Sequence, residues 1–216
     1  MDIPVAHGRL EALFWKVDEA VGSVVVCHPD PQHGGTMHNH LTYRLARAFR
    51  DQRVNALRFN FRGVGRSTGE YDEGRGEVDD ARAALDFLAQ QHPGLPLYAA
   101  GFSFGSRVAL QLAVDEVRVQ KVLAAGLAID LLDFSFAKGL RKPKAFIQSE
   151  RDEYGPLEKV RAWVAELPPP RELFVVAEAN HLCAGRLDAF EAAATEAVSW
   201  LLAVDHKSAH RVERQA

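Results

Sequence analysis

Leu95-Pro96-Leu97-Tyr98-Ala99-Ala100-Gly101-Phe102-Ser103-Phe104-Gly105 is the stretch whose reading decides how this chain folds. Residues 95–102 form an apolar run of strand length. The segment after Ser103 places Phe104, Val108 and Leu112 at helical spacing. Gly101 to Gly105 is therefore a G-x-S-x-G sequence at a strand-to-helix junction. In that context the serine sits on a sharp turn that lifts its Oγ clear of the sheet. The glycines two positions to either side have no Cβ, so strand and helix can approach closely.

Outward from this junction, apolar runs alternate with amphipathic segments. Upstream, strands are expected over residues 23–28 and 55–61. Helices are expected over 39–49 and 77–91, the second stopped by His92-Pro93-Gly94. Downstream, strands are expected over 119–128, 144–149 and 173–177, with helices over 156–167 and 187–202. Strand-helix alternation of this kind implies an α/β fold, a mostly parallel sheet with helices on both faces joined by right-handed crossovers. Residues 9–17 read as an antiparallel ribbon at the sheet edge. No repeat or composition shift divides the chain, so one domain is expected over 1–203, followed by a polar, fraying tail over 204–216.

Composition narrows the classes of function. The 216 residues are 47% hydrophobic and 25% charged, with a formal net charge of -3, which gives no global attraction to nucleic acid or an acidic membrane. The first twenty residues lack a basic region followed by an apolar stretch, and no apolar run has the length to span a bilayer. The two cysteines, Cys27 and Cys183, lack CxxC spacing. A reduced cytoplasmic location is the expectation.

A serine hydroxyl needs a base within hydrogen-bond reach to act as a nucleophile. With a G-x-S-x-G junction the partners follow in the order serine, acid, histidine. Of nine histidines, His181 alone is both after Ser103 and at the end of an apolar strand, in Ala179-Asn180-His181-Leu182. Such a loop lies at the carboxyl edge of the sheet, where open α/β sheets bind their ligands. Asp152, after the strand at 144–149, is the first choice for the acid that orients the imidazole. Glu150 and Glu153 compete with it nearby, and Asp130 and Asp133 follow the preceding strand. Acyl transfer also needs donors aimed at the developing oxyanion. The backbone N–H of Phe104 at the helix start is one. The other is expected from His28-Pro29-Asp30-Pro31, where the prolines leave the Asp30 N–H as the nearby donor.

Four segments carry a resemblance. Cys27 to Asn39 (CHPDPQHGGTMHN), Arg58 to Ser67 (RFNFRGVGRS), Gly101 to Ser106 (GFSFGS) and the pair Asp152-Glu153 resemble a bacterial subgroup of short α/β-hydrolases related to dienelactone-hydrolase-like and lidless esterase members. The likeness runs over about residues 21–202. It implies the α/β-hydrolase fold, a Ser103–Asp152–His181 triad, and small carboxylic esters as substrates. The chain departs from the subgroup's pattern at Ser149-Glu150, Asp30 and Leu182-Cys183, which bears on pocket shape and polarity more than on chemistry.

The expected connection between the strands at 119–128 and 144–149 is short, about fifteen residues. Hydrolases with a helical lid carry it there, so an open, lidless site is expected. Arg62-Gly63-Val64-Gly65-Arg66-Ser67 lacks the G-x-G-x-x-G spacing and the lysine of a phosphate loop, and reads as a tight structural turn with Arg62 near the site's rim. The leading function is hydrolysis of a small-molecule acyl ester, with no metal or organic cofactor needed and with neither nucleic acid nor membrane as partner. Thioester or amide cleavage with the same triad, or a non-catalytic scaffold, are the alternatives, and a homodimer is left open.

Overall fold

The computed structural model describes residues 1–204. Eight strands form one sheet in the order β1-β2-β4-β3-β5-β6-β7-β8, with β1 Asp2–Val5, β2 Gly8–Trp15, β3 Gly22–Cys27, β4 Val54–Phe59, β5 Leu97–Phe102, β6 Val119–Ala125, β7 Lys144–Ser149 and β8 Arg171–Val176. The first two strands are antiparallel, and the six from β4 to β8 across the sheet are parallel. The edge ribbon thus exists, but it begins earlier than its sequence suggests. Residues 204–216 were expected to form a tail, and from 205 onward they lie outside the described residues.

Alternation along the central strands divides the interior in two. Val25 and Cys27 face one side with Leu57 and Phe59, whereas Val24 and Val26 face the other with Val54 and Ala56. Helices α1 (His40–Arg50) and α5 (Leu187–Ala203) cover the second side. Helices α2 (Arg75–Gln91), α3 (Phe104–Asp115) and α4 (Leu157–Glu166) cover the first. Asn39 lies outside α1 as its N-cap, its Oδ1 accepting the N–H groups of Leu41 at 2.9 Å and Thr42 at 3.2 Å. β6 stops at Ala125, short of the expected 128, because Gly126 at φ 61° turns the chain out of the sheet.

The carboxyl ends of β3 and β4 are tied together by His28. Its ring is buried, its Nδ1–H donates to the Pro29 carbonyl at 2.6 Å, and its Nε2 accepts the Phe61 N–H at 3.0 Å. The bonding requires the neutral ring, and burial lowers its pKa from 6.5 to about 4. The unfolded chain takes up this proton first as the pH falls, so stability is full above pH 6.5 and lost progressively down to about pH 4, by up to about 3 kcal/mol. Urea unfolding across that window should show the loss in the wild type and a flatter profile in His28→Gln. Identical slopes in the two proteins would rule out this linkage.

Candidate active site

The site begins with a steric constraint where β5 enters α3. A Cβ on Gly101 would overlap the Gly105 carbonyl, and one on Gly105 would overlap the carbonyls of Cys27 and His28. Between them Ser103 is held at φ 55°, a left-handed conformation that costs a non-glycine residue about 1–3 kcal/mol. Its N–H donates to the Ala125 carbonyl at 2.9 Å, which pins the turn to β6. Ser106 adds a bond from its Oγ–H to the Ser103 carbonyl at 2.6 Å.

Two further loops bring side chains to this serine. His181 follows β8 and Asp152 follows β7, neighbouring parallel strands whose carboxyl ends open on the same edge as β5. The His181 Nδ1–H donates to Asp152 at 2.8 Å to Oδ2 and 3.0 Å to Oδ1, leaving Nε2 to accept from Ser103 Oγ at 3.0 Å. Both partners are buried, at 5% exposure for His181 and 4% for Asp152, while Ser103 is partly open. The carboxylate is oriented by the N–H groups of Tyr154 and Gly155, each 3.0 Å from Oδ1. The imidazole lies between Phe102, with ring centroids 5.1 Å apart, and the edge-on ring of Tyr154 at 5.0 Å.

The other candidate acids lie elsewhere. Asp130 pairs with Lys159 at 2.7 Å on the surface, and Asp133 accepts the N–H and Oγ–H of Ser135. Glu150 accepts the Glu178 N–H. Glu153 does touch the site, but at the backbone, accepting the His181 N–H at 3.0 Å. That bond, against the opposing effect of burial, holds its carboxyl below the ordinary range. Glu153 therefore braces the loop that carries the histidine, a role that chain order gives no means of reading. Gln148 is a second such residue, accepting the Leu127 N–H at 2.8 Å and donating to the Gly155 carbonyl at 2.7 Å, so that the loops after β6 and β7 are cross-linked. Cys183, buried beside Ser149 at 3.3 Å, has its thiol pKa raised by burial.

The expected oxyanion donors are backbone groups. Phe104 opens α3, and neither its N–H nor that of Asp30 finds an acceptor among the described residues. The Asp30 side chain serves the 3-10 turn Pro31–His33, accepting the Gln32 N–H at 2.8 Å and bonding the His33 ring at 2.9 Å. The glycine loop is a structural turn, with Gly63 at φ 73° and Gly65 at φ 57°. Arg62 is closed on the buried Asp80, Nη2 to Oδ1 at 2.8 Å. Among the described residues no group of three or more His, Cys, Asp or Glu side chains forms a metal cluster, and no helix is long and apolar enough to cross a membrane. The connection from β6 to β7 carries a 3-10 turn, Ser135–Gly139.

A mostly parallel sheet with a serine on a left-handed strand-to-helix turn, facing a carboxylate and a histidine from the loops after β7 and β8, defines an α/β serine hydrolase. The chain matches the Hydrolase_4 family, described as serine aminopeptidase, S33, over residues 18–142, and it belongs to that family. That match contains Ser103 and stops before Asp152 and His181. It is 34% identical over 166 residues, 74% of this chain and 70% of the relative, to an uncharacterized protein of Rickettsia prowazekii (strain Madrid E). The fold is similar to that of an alpha-beta serine hydrolase homologue from Coxiella burnetii, with a TM-score of 0.84 and 31% identity over 91% of this chain and 95% of the other. It is equally similar, at a TM-score of 0.84 and 30% identity over 95% of each chain, to a serine hydrolase without lid from Xanthomonas campestris. The protein is a lidless α/β hydrolase.

The steric constraint at the serine turn can be tested apart from activity. Gly105→Ala should lower the stability to urea by about 3 kcal/mol or more, because two backbone carbonyls would have to move. Gly139→Ala, with nothing within 4 Å of the added methyl, should stay within about 0.5 kcal/mol of wild type. Similar losses in the two variants would count against the close approach.

Proposed function

We propose that the protein cleaves small carboxylic esters through an acyl-enzyme on Ser103, with His181 as base and Asp152 as the orienting acid. The observation that carries this reading is the continuous hydrogen-bond chain from Ser103 Oγ through the imidazole to the buried carboxylate. As Oγ attacks the ester carbon, its proton passes to Nε2. The imidazolium then gives that proton to the departing alcohol oxygen as the tetrahedral intermediate collapses. Water enters by the same path in reverse, its proton going to Nε2 and then to Ser103 Oγ as the acid leaves.

Asp152 stabilises the imidazolium and fixes the tautomer that leaves Nε2 free to accept. The N–H groups of Phe104 and Asp30 meet the oxyanion. The Phe104 amide gains from the positive end of the α3 dipole. No metal or organic cofactor enters these steps. A cytoplasmic setting is in keeping with the two buried cysteines, both held as free thiols. The family description names an aminopeptidase, and an amide would use the same three residues. Assaying an ester and an anilide of one acyl group separates the two chemistries.

A fluorophosphonate should label the wild-type protein and leave Ser103→Ala unlabelled, and a wild-type protein that resists labelling would end the enzyme reading. Asp152→Asn should reduce turnover by about 10⁴-fold, while Asp133→Asn stays near wild type. Loss in the second without loss in the first would move the acid to the preceding loop. Without a lid, the rate on a long-chain ester should pass its solubility limit without a jump. A jump there would show that something covers the site.

A further inference from the structure

Beside the serine turn lies a cation that makes no ion pair with a carboxylate among the described residues. Arg107 lies four residues beyond Ser103 on α3, and helical side chains lean back toward the preceding turn. A Cβ placed on Gly74 would stand 2.7 Å from its Nη1 and 3.6 Å from the Phe104 ring, so the guanidinium lies alongside the residue next to the nucleophile. Its Nε–H donates to the Asp133 carbonyl at 3.2 Å, and its Cζ stands 5.5 Å from the centre of the Phe136 ring. Among the described residues no acceptor takes the remaining guanidinium N–H groups.

The neighbouring charges are committed. Arg62 is paired with Asp80, and Arg75 with Asp72 and Glu73. Glu77 is buried and accepts the N–H groups of Asp72 and Gly74. Asp30 and Asp133 hold their own turns, as described above. Tyr71 joins Arg107 here, its ring 5.9 Å from that of Phe104 and its hydroxyl without a partner among the described residues. Burial, reinforced by the carboxylates of Asp30, Glu77 and Glu73, keeps that phenol above its ordinary pKa, so it is a proton donor at neutral pH.

The two sides of the serine are not equivalent. The His181 ring lies tilted against Phe102, which belongs to the core under α1 and α5, and the leaving alcohol has to reach the Nε2 proton on that side. Phe104 and Phe134 belong to the opposite core, and Tyr71, Arg107 and Phe136 pack on that side, the side left to the acyl portion once the leaving alcohol faces His181. We propose that Arg107 and Tyr71 form a subsite for a carboxylate carried on the acyl portion, so that the preferred substrates are half-esters of short dicarboxylic acids. The inference rests on the serine-ester reading above. A planar guanidinium can grip a carboxylate with two parallel hydrogen bonds, and the Tyr71 hydroxyl can supply a third.

The test compares kcat/KM for monomethyl glutarate and methyl valerate, esters of equal acyl length that differ in the terminal carboxylate. The wild type should favour the half-ester by about 10- to 100-fold, the range of one charge-assisted interaction. Arg107→Gln should bring the ratio of the two values near one, and Arg107→Lys, which keeps the charge without the fork, should retain part of the preference. Tyr71→Phe should lower the ratio by a smaller factor. A wild type that favours methyl valerate, or a ratio unmoved in Arg107→Gln and Arg107→Lys, overturns the subsite. Fluorophosphonate labelling without hydrolysis of either ester also overturns it and leaves the serine nucleophile standing. Neither labelling nor hydrolysis removes both.

Discussion

At the entry to α3 two glycines stand where no side chain fits, and the serine between them is held at φ 55° against its own preference. The contact is made of backbone against backbone, so no rotamer change can relieve it. It brings α3 down onto the ends of β3 and β5 and turns the Ser103 Oγ outward over the carboxyl edge of the sheet. Everything else at the site is arranged around that fixed point. The strain in the turn, about 1–3 kcal/mol, is small beside the apolar surface that the two flanking cores bury, which is why the turn persists.

Parallel order does the rest of the positioning. Because β5, β6, β7 and β8 lie side by side and point the same way, the loops that leave them open on one edge. The serine leaves β5, the carboxylate β7 and the histidine β8, so the imidazole has to reach back across two strands. That reach is held at each end. Glu153 takes the His181 backbone, Asp152 takes the ring, and Gln148 ties the acid's loop to the loop after β6. The two carboxylates at His181 thus have different partners, one the backbone N–H and the other the ring, set by which atom each meets and not by acidity.

The division of the interior into two cores also divides the site. The ring of His181 rests on the side of α1 and α5, while Phe104, Tyr71 and Arg107 rest on the side of α2 and α3. Ser103 lies at the boundary, bonded to the His181 ring on one hand and followed by the Phe104 ring, beside Tyr71, on the other. Burial differs in the same sense. The hydrogen-bonded pair Asp152 and His181 is screened from water, whereas Ser103 is partly open.

The sequence by itself determined the strand-helix alternation, the serine turn and the candidacy of His181, because periodicity, glycine spacing and chain order are local properties. Element ends were set by local chemistry of a finer kind, such as the Asn39 cap and the left-handed Gly126, and there the expected bounds were off by a few residues. The sequence favours Asp152 among the acids, but only the tertiary structure shows which of them meets the imidazole. Asp130, Asp133, Glu150, Asp152 and Glu153 are equivalent as residues near strand ends, and what distinguishes them is which N–H or ring nitrogen the folded loops present. The same holds for Arg107. Four positions past the serine it reads as an ordinary helical arginine, and it has no ion pair among the described residues because Asp80, Asp72 and Glu73 pair with other arginines while Glu77 and Asp133 accept the N–H groups of their own loops.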